Sequence, residues 1–170
     1  MNTQTTPSPQ VALNQPRASV TLPSPLEILI TRDFRAPRHL LYRAYTTPEL
    51  VRRWWSSDLG QMTTVEIDLR EGGHWRYVMQ DHQVGEVGFH GEFRQIVPNE
   101  CLVMTEVYEA MPEGEAVNTV TFQDHEGGTR LKILVKHTCQ EHRDGHLHSG
   151  MEEGMQKSLD FLEHVAQSSH

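Results

Sequence analysis

From Met62 to His137 the chain alternates apolar and polar residues through six successive runs. Only afterwards, from Met151 to Ala166, does an apolar stripe recur at helical spacing. Period-two alternation buries one face of a strand and leaves the other to solvent, and short connections make neighbouring strands antiparallel. The runs are Met62–Leu69, His74–Gln80, Val84–Ile96, Cys101–Tyr108, Ala116–Asp124 and Thr129–His137. Between them stand Gly72-Gly73, Asp81-His82, Pro98-Asn99, Pro112-Glu113-Gly114 and Gly127-Gly128, all turn chemistry. A sheet with one face to cover, and one amphipathic helix to cover it, predicts an α+β fold with the sheet curved over the helix. Where such a sheet curls away from the helix, a cavity is expected. The pattern points to a pocket more clearly than to a reaction.

An earlier strand is predicted over Leu26–Phe34, with Leu26, Ile28 and Ile30 on one parity. Pro37 suits the first turn of a short helix, His39 to Tyr45. Thr47-Pro48-Glu49 repeats that start signal, with Thr47 as the capping hydroxyl of a second short helix, Pro48 to Trp55. The long closing helix, Met151 to Ala166, is given Ser149 as its cap and Glu152 as the partner in a capping box. Residues 1–22 hold Pro7, Pro9 and Pro16 among Ser, Thr, Gln and Asn, a composition that cannot repay the entropy of ordering. They are expected to be a disordered tail, with one domain over residues 23–170.

Charge and composition exclude several function classes. The net charge is −8 and no basic stripe is present, which removes the phosphate contacts that dominate nucleic-acid affinity. No stretch is apolar and long enough to span a bilayer, and the N-terminus lacks the basic start and apolar run of a secretory signal. A cytoplasmic protein without membrane insertion is expected. Two cysteines, Cys101 and Cys139, are too few for a disulfide framework.

The order strand, two helices, six strands, helix resembles the START-like (SRPBCC) helix-grip superfamily. More narrowly it resembles the bacterial branch related to the C-terminal domain of the activator of Hsp90 ATPase. The residues that carry the likeness are Pro48-Glu49-Leu50 leading into Arg53-Trp54-Trp55, then the segments Ile67–Met79, His90–Glu106 and Gly127–His137. The resemblance implies a deep cavity between sheet and helix that takes apolar or amphipathic small molecules such as lipids, polyketides or flavonoids. It implies no cofactor and no particular reaction, since members include carriers, cyclases and co-chaperones. Many relatives place a Trp after the glycine early in the last helix, whereas this chain has Gly154-Met155, which alters the cavity floor. The activator has a further N-terminal domain that residues 1–22 do not supply, so an Hsp90-type chaperone is not an expected partner. A homodimer through an exposed strand edge is compatible with the pattern.

Strand parity supplies the candidate ligand-binding residues. Trp75, Tyr77 and Met79 share one face, as do Phe89 and Phe93; Met104 belongs to the next strand, Phe122 to the one after, and Ile133 and Val135 to the last. Trp54 and Trp55 stand at the expected mouth, and Met151, Met155 and Leu159 line the helix. The same parity carries Glu106, Tyr108 and His137 toward the cavity. A carboxyl group in apolar surroundings resists ionisation, and a neighbouring imidazole can share its proton, so Glu106 and His137 are the candidate acid/base pair. Two other roles remain open for them: orienting a bound polar group, or structure alone. His142 and His146 are four apart, which on a helix would suit a transition metal. Asp144-Gly145 between them argues for a loop before the helix, and no metal site is expected. Gly85, Gly88 and Gly91 fall inside a strand and are expected bulge or close-approach positions.

Overall fold

The computed structural model describes residues 17–56 and 58–168. Eight strands form one antiparallel sheet: β1 (Ser19–Thr21), β2 (Glu27–Phe34), β3 (Gly60–Ile67), β4 (His74–Asp81), β5 (Gly85–Val97), β6 (Cys101–Tyr108), β7 (Ala116–His125) and β8 (Gly128–Lys136). Four helices accompany them: α1 (Arg38–Thr46), α2 (Pro48–Val51), α3 (Gln140–Leu147) and α4 (Met151–Ser168). The spatial order is β1-β2-β8-β7-β6-β5-β4-β3. Strands β3 to β8 are a meander, and its last strand returns to pair with β2 along the full length of β2, from Glu27 opposite Lys136 to Phe34 opposite Thr129. Breaks in register at Met62/Thr64 in β3 and Phe93/Gln95 in β5 bend the sheet, as bulges do.

The inner face is the expected one. Ile28, Ile30, Trp75, Tyr77, Phe93, Leu102, Met104, Val120, Phe122, Leu131 and Val135 are all buried, and they meet Leu159, Leu162, Val165 and Ala166 of α4. On β2 one residue breaks the apolar pattern. Arg32 lies between Ile30 and Phe34 and is only 2% exposed. Its Nη1 donates to Asp160 at 2.6 Å and its Nη2 to Glu163 at 2.8 Å, two carboxylates about one turn apart on α4. The guanidinium also lies over the Phe34 ring, 4.8 Å from its centroid. A buried guanidinium without such partners would be prohibitively costly, so Arg32 sets where α4 rests on β2.

Four local expectations need correction. The expected tail reaches too far: Val20 pairs with Ile30, and the side-chain amide of Gln156 both donates to and accepts from the backbone of Ala18. That bidentate clip at Ala18 and the pairing of Ser19–Thr21 with β2 supply the hydrogen bonds that composition alone did not promise; residues 1–16 lie outside the described residues. Thr47 makes no side-chain cap, and α2 stops at Val51, the chain continuing as hydrogen-bonded turns through Trp55. Ser149 does not cap α4; its hydroxyl donates back to the His146 carbonyl, and Gly150 turns the chain at φ +82°. The histidine-rich segment is helix α3 and not a loop. Glu141 in its first turn suits the helix dipole, and Arg143 ties it down by donating to the Ser24 carbonyl at 3.0 Å.

Replacing Arg32 with Met should lower stability by about 3 kcal/mol, because Glu163 is left mostly buried without its counter-charge. Asp160→Asn should cost under about 1 kcal/mol, since Asp160 is half exposed. Denaturant titration checks both, as a shifted midpoint at unchanged slope.

Candidate functional site

The register places the functional side chains at one end of the sheet. Gly60 pairs with Asp81, Asp81 with Gly85, Phe89 with Tyr108 and Glu27 with Lys136, so the ends of these strands lie along one rim. Helix α3 and the N-terminus of α4 close the same end, where Gly154 lies against Leu59. Five of the seven large apolar residues exposed among those described belong to this rim: Leu22, Leu59, Val84, Tyr108 and Met111.

Inside it stands an aromatic wall. Trp55 packs edge-on against Tyr77 and Phe89, with ring centroids 5.3 and 5.1 Å away. Trp75 tilts onto Tyr77 at 4.7 Å, and Phe89 stacks on Tyr108 at 5.2 Å. The three tryptophans are held differently. Trp54 is buried and donates to the Ala44 carbonyl at 2.9 Å, so it belongs to the packing of α1 and not to the mouth. Trp75 donates to the Thr105 carbonyl at 3.0 Å, reaching across β5 at Gly91. A Cβ on Gly91 would collide with that carbonyl and the indole nitrogen, so the close approach expected of this glycine is real. Trp55 has ring contacts only for its indole, and its carbonyl accepts from Ser158 of α4 at 3.0 Å.

Glu106 lies half-buried on the inner face, and Asn118 of β7 donates its side-chain N–H to it. Burial raises the Glu106 carboxyl above its usual range, and the Asn118 hydrogen bond partly opposes this. The Tyr45 and Tyr77 phenols are pushed up by burial first and by the Glu106 charge as well, so both stay neutral. Asn118 itself is buried, and its Oδ1 has no partner.

The expected pair of Glu106 and His137 is not formed. Glu106 pairs across the sheet with Ala116, and the β7–β8 register continued past Lys136 puts His137 on the far side of that alanine. Two strand spacings, about 9–10 Å, separate them. His137 instead meets His146 of α3, Nε2 to Nδ1 at 3.1 Å, one ring nitrogen donating to the other. Burial, with the charges of His146, His142 and Arg143, lowers the His137 pKa to about 4. The Nδ1 atoms of His137 and His142 are buried without partners. Among the described residues, no group of three or more His, Cys, Asp or Glu side chains is arranged to hold a metal ion.

Of the other candidates, Met79, Phe93, Met104, Phe122, Val135 and Leu159 are buried core, while Ile133, Met151 and Met155 are partly buried against it. Tyr108 is at the rim, 39% exposed. Asn118 and Tyr45 were missed. Asn118 shares the parity of Val120 and Phe122 and was legible; Tyr45 needed the docking of α1. Two clefts stand out among the described residues, and neither is lined by Glu106 or Asn118. One of about 210 Å³ lies at the seam of β2 and α4, beside Arg32, Asp160 and Glu163, and one of about 240 Å³ lies around Glu66, Arg76 and His90. Where the cavity was expected, Trp55, Trp75, Tyr77 and Phe89 pack against one another.

A curved antiparallel sheet gripping a long C-terminal helix, with short helices after the first long strand, defines a helix-grip protein. The chain belongs to the activator of Hsp90 ATPase homolog 1-like family, whose sequence profile matches residues 35–167. It is 32% identical over 126 residues to the human activator of 90 kDa heat shock protein ATPase homolog 1, an alignment covering 74% of this chain and 33% of that protein. The chain thus spans about a third of that relative's length. A crystal structure from Rhodobacter sphaeroides superposes with a TM-score of 0.82 at 25% identity, covering 88% of this chain and 98% of the other. One from Nitrosomonas europaea gives 0.77 at 25% identity, covering 86% and 97%. No described helix is long and apolar enough to cross a membrane.

Stability should fall as the pH drops from 6.5 to about 4, because the unfolded His137 takes up a proton there and the folded one does not. Glu109 extends the loss: Arg76, then His90, hold it down to about 2, so its contribution disappears between pH 4.5 and 2. Glu106 works in the opposite sense, since acid relieves its burial. His137→Phe should flatten the pH 4 to 6.5 portion of a thermal-melt profile.

Proposed function

We propose that the protein binds a small apolar or aromatic molecule, without converting it, between the inner face of the sheet and α4. The observation that carries this reading is the Glu106–Asn118 pair on the inner face beside Tyr77, which is itself in ring contact with Trp55 and Trp75. Small-molecule sites combine mostly apolar walls with a few convergent polar groups, and this end of the sheet has both. Entry requires the wall to part. Trp55 is the ring suited to move, because its indole is held by ring contacts and, among the described residues, not by a hydrogen bond, and it follows a short helix that ends at Val51. Met155, where relatives carry the larger Trp, gives the helix side an adaptable surface. Acid/base catalysis by Glu106 and His137 is not supported, because each is committed to a different partner.

A second reading is favoured by the apolar rim. Leu59, Val84 and Met111 are exposed at one end, and a protein partner could cover them, as the name of the human relative suggests for an Hsp90-type chaperone.

Native mass spectrometry, then thermal shift against lipids, polyketides and flavonoids, tests the first reading. A retained molecule, or a melting temperature that climbs with ligand concentration, is the expected result. The accompanying change in tryptophan emission should vanish in Trp55→Phe. Silence across the panel from a folded protein would transfer support to the rim, where Val84→Lys with Met111→Lys should abolish chaperone binding.

A further inference from the structure

The Glu106–Asn118 pair presents acceptor oxygens for which no donor is assigned among the described residues. Asn118 is 8% exposed and donates its amide N–H to Glu106, which leaves its Oδ1 buried and unpartnered. A carbonyl-type oxygen in that position asks for an incoming N–H or O–H. Glu106 accepts from Asn118 through Oε2 alone, so its Oε1 is a second acceptor beside the first.

Among the described residues, no basic side chain answers that carboxyl. Arg32, the inward-facing cation of β2, is committed to Asp160 and Glu163. His137 is turned to His146 and held neutral at physiological pH. Lys132 and Lys136 alternate with the inward-facing residues of β8 and so point to the other face. Tyr45 and Tyr77 both feel the Glu106 charge, and Tyr77 is in ring contact with Trp75 and Trp55, aromatic surroundings in which a cation is attracted to the ring quadrupoles. The whole chain carries −8.

We propose that the molecule bound here carries an ionised amine on an aromatic or apolar body, its N–H groups donated to Asn118 Oδ1 and Glu106 Oε1. The proposal rests on the ligand-binding reading above and narrows it to one chemical class. Other head groups satisfy the site less well. A ketone or ester presents an acceptor to two acceptors, and a carboxylate or phosphate adds like charge beside Glu106. An alcohol or phenol has one O–H for two oxygens. An ammonium group has a donor for each, supplies the missing counter-charge, and places its carbon skeleton against the rings.

The test compares naphthylmethylamine with naphthylmethanol, the same skeleton with and without the charge, by isothermal titration at neutral pH and moderate salt. The amine should bind at least about tenfold more tightly. In Glu106→Gln that preference should disappear while the affinity for the alcohol persists, which also reports that the variant is folded. Asn118→Leu should weaken the amine more than the alcohol. An alcohol that binds as well as the amine overturns the amine assignment and leaves the pocket standing. A preference for the amine that survives in Glu106→Gln overturns it too, because the attraction then comes from the general negative charge. If neither probe binds but neutral panel compounds do, the amine assignment alone fails; if nothing binds, the pocket fails with it.

Discussion

Arg32 is the constraint on which the rest of the architecture turns. It occupies an inward position of β2 where its neighbours Ile30 and Phe34 are apolar, and a buried guanidinium is tolerable only with its charge answered. Asp160 and Glu163 answer it from adjacent turns of α4, and a planar fork meeting two carboxylates leaves little freedom in how the helix lies. Glu163 also accepts from the Arg35 backbone, and Gln156, one turn before Asp160 on α4, clips Ala18. Helix α4 is thereby tied to β2 and to the backbone leading into β1 by polar bonds, while its apolar stripe covers the sheet. Apolar packing alone is non-directional and would permit sliding.

With α4 anchored there, the opposite side of the inner face is left to aromatics. Strands β4 and β5 lie five and four places from β2 in the spatial order, and they cover themselves with Trp75, Tyr77 and Phe89, assisted by Trp55 from the segment after α2. Gly91 makes this possible, since only a residue without Cβ lets the Trp75 indole lie flat enough to reach the Thr105 carbonyl. The polar groups of the site then sort into two separate pairs. Glu106 with Asn118 faces the aromatic wall, and His137 with His146 fastens α3 to the end of β8. Their separation turns a nominal acid/base dyad into one recognition element and one joint.

Much of this was legible along the chain. Strand β6 begins and ends at the expected Cys101 and Tyr108, and the other five strands of the meander differ by at most a few residues, because alternation and turn residues are local signals. Failures share a different character. The strand at Ser19–Thr21 exists because Gln156 and β2 supply distant hydrogen bonds, and α3 is helical because Arg143 has a carbonyl to reach near β2. Thr47 and Ser149 look like caps in sequence, yet neither hydroxyl turns to the helix it was expected to start.

The sequence by itself determined which residues face inward, because the two-residue period of a strand and the stripe on a helix are properties of the backbone and the residue order. It determined as well that Glu106, Tyr108 and His137 share a parity with the core. Tertiary structure alone decided which of these residues meet. Parity names a face but not a neighbour two strands away, and only the register, with Ala116 between Glu106 and His137, separates the carboxyl from the imidazole. Likewise, only the docking of α1 and α4 brings Tyr45 toward Glu106 and Arg32 against its carboxylates, since those partners lie far apart in the chain and their pairing depends on distances that no local pattern encodes.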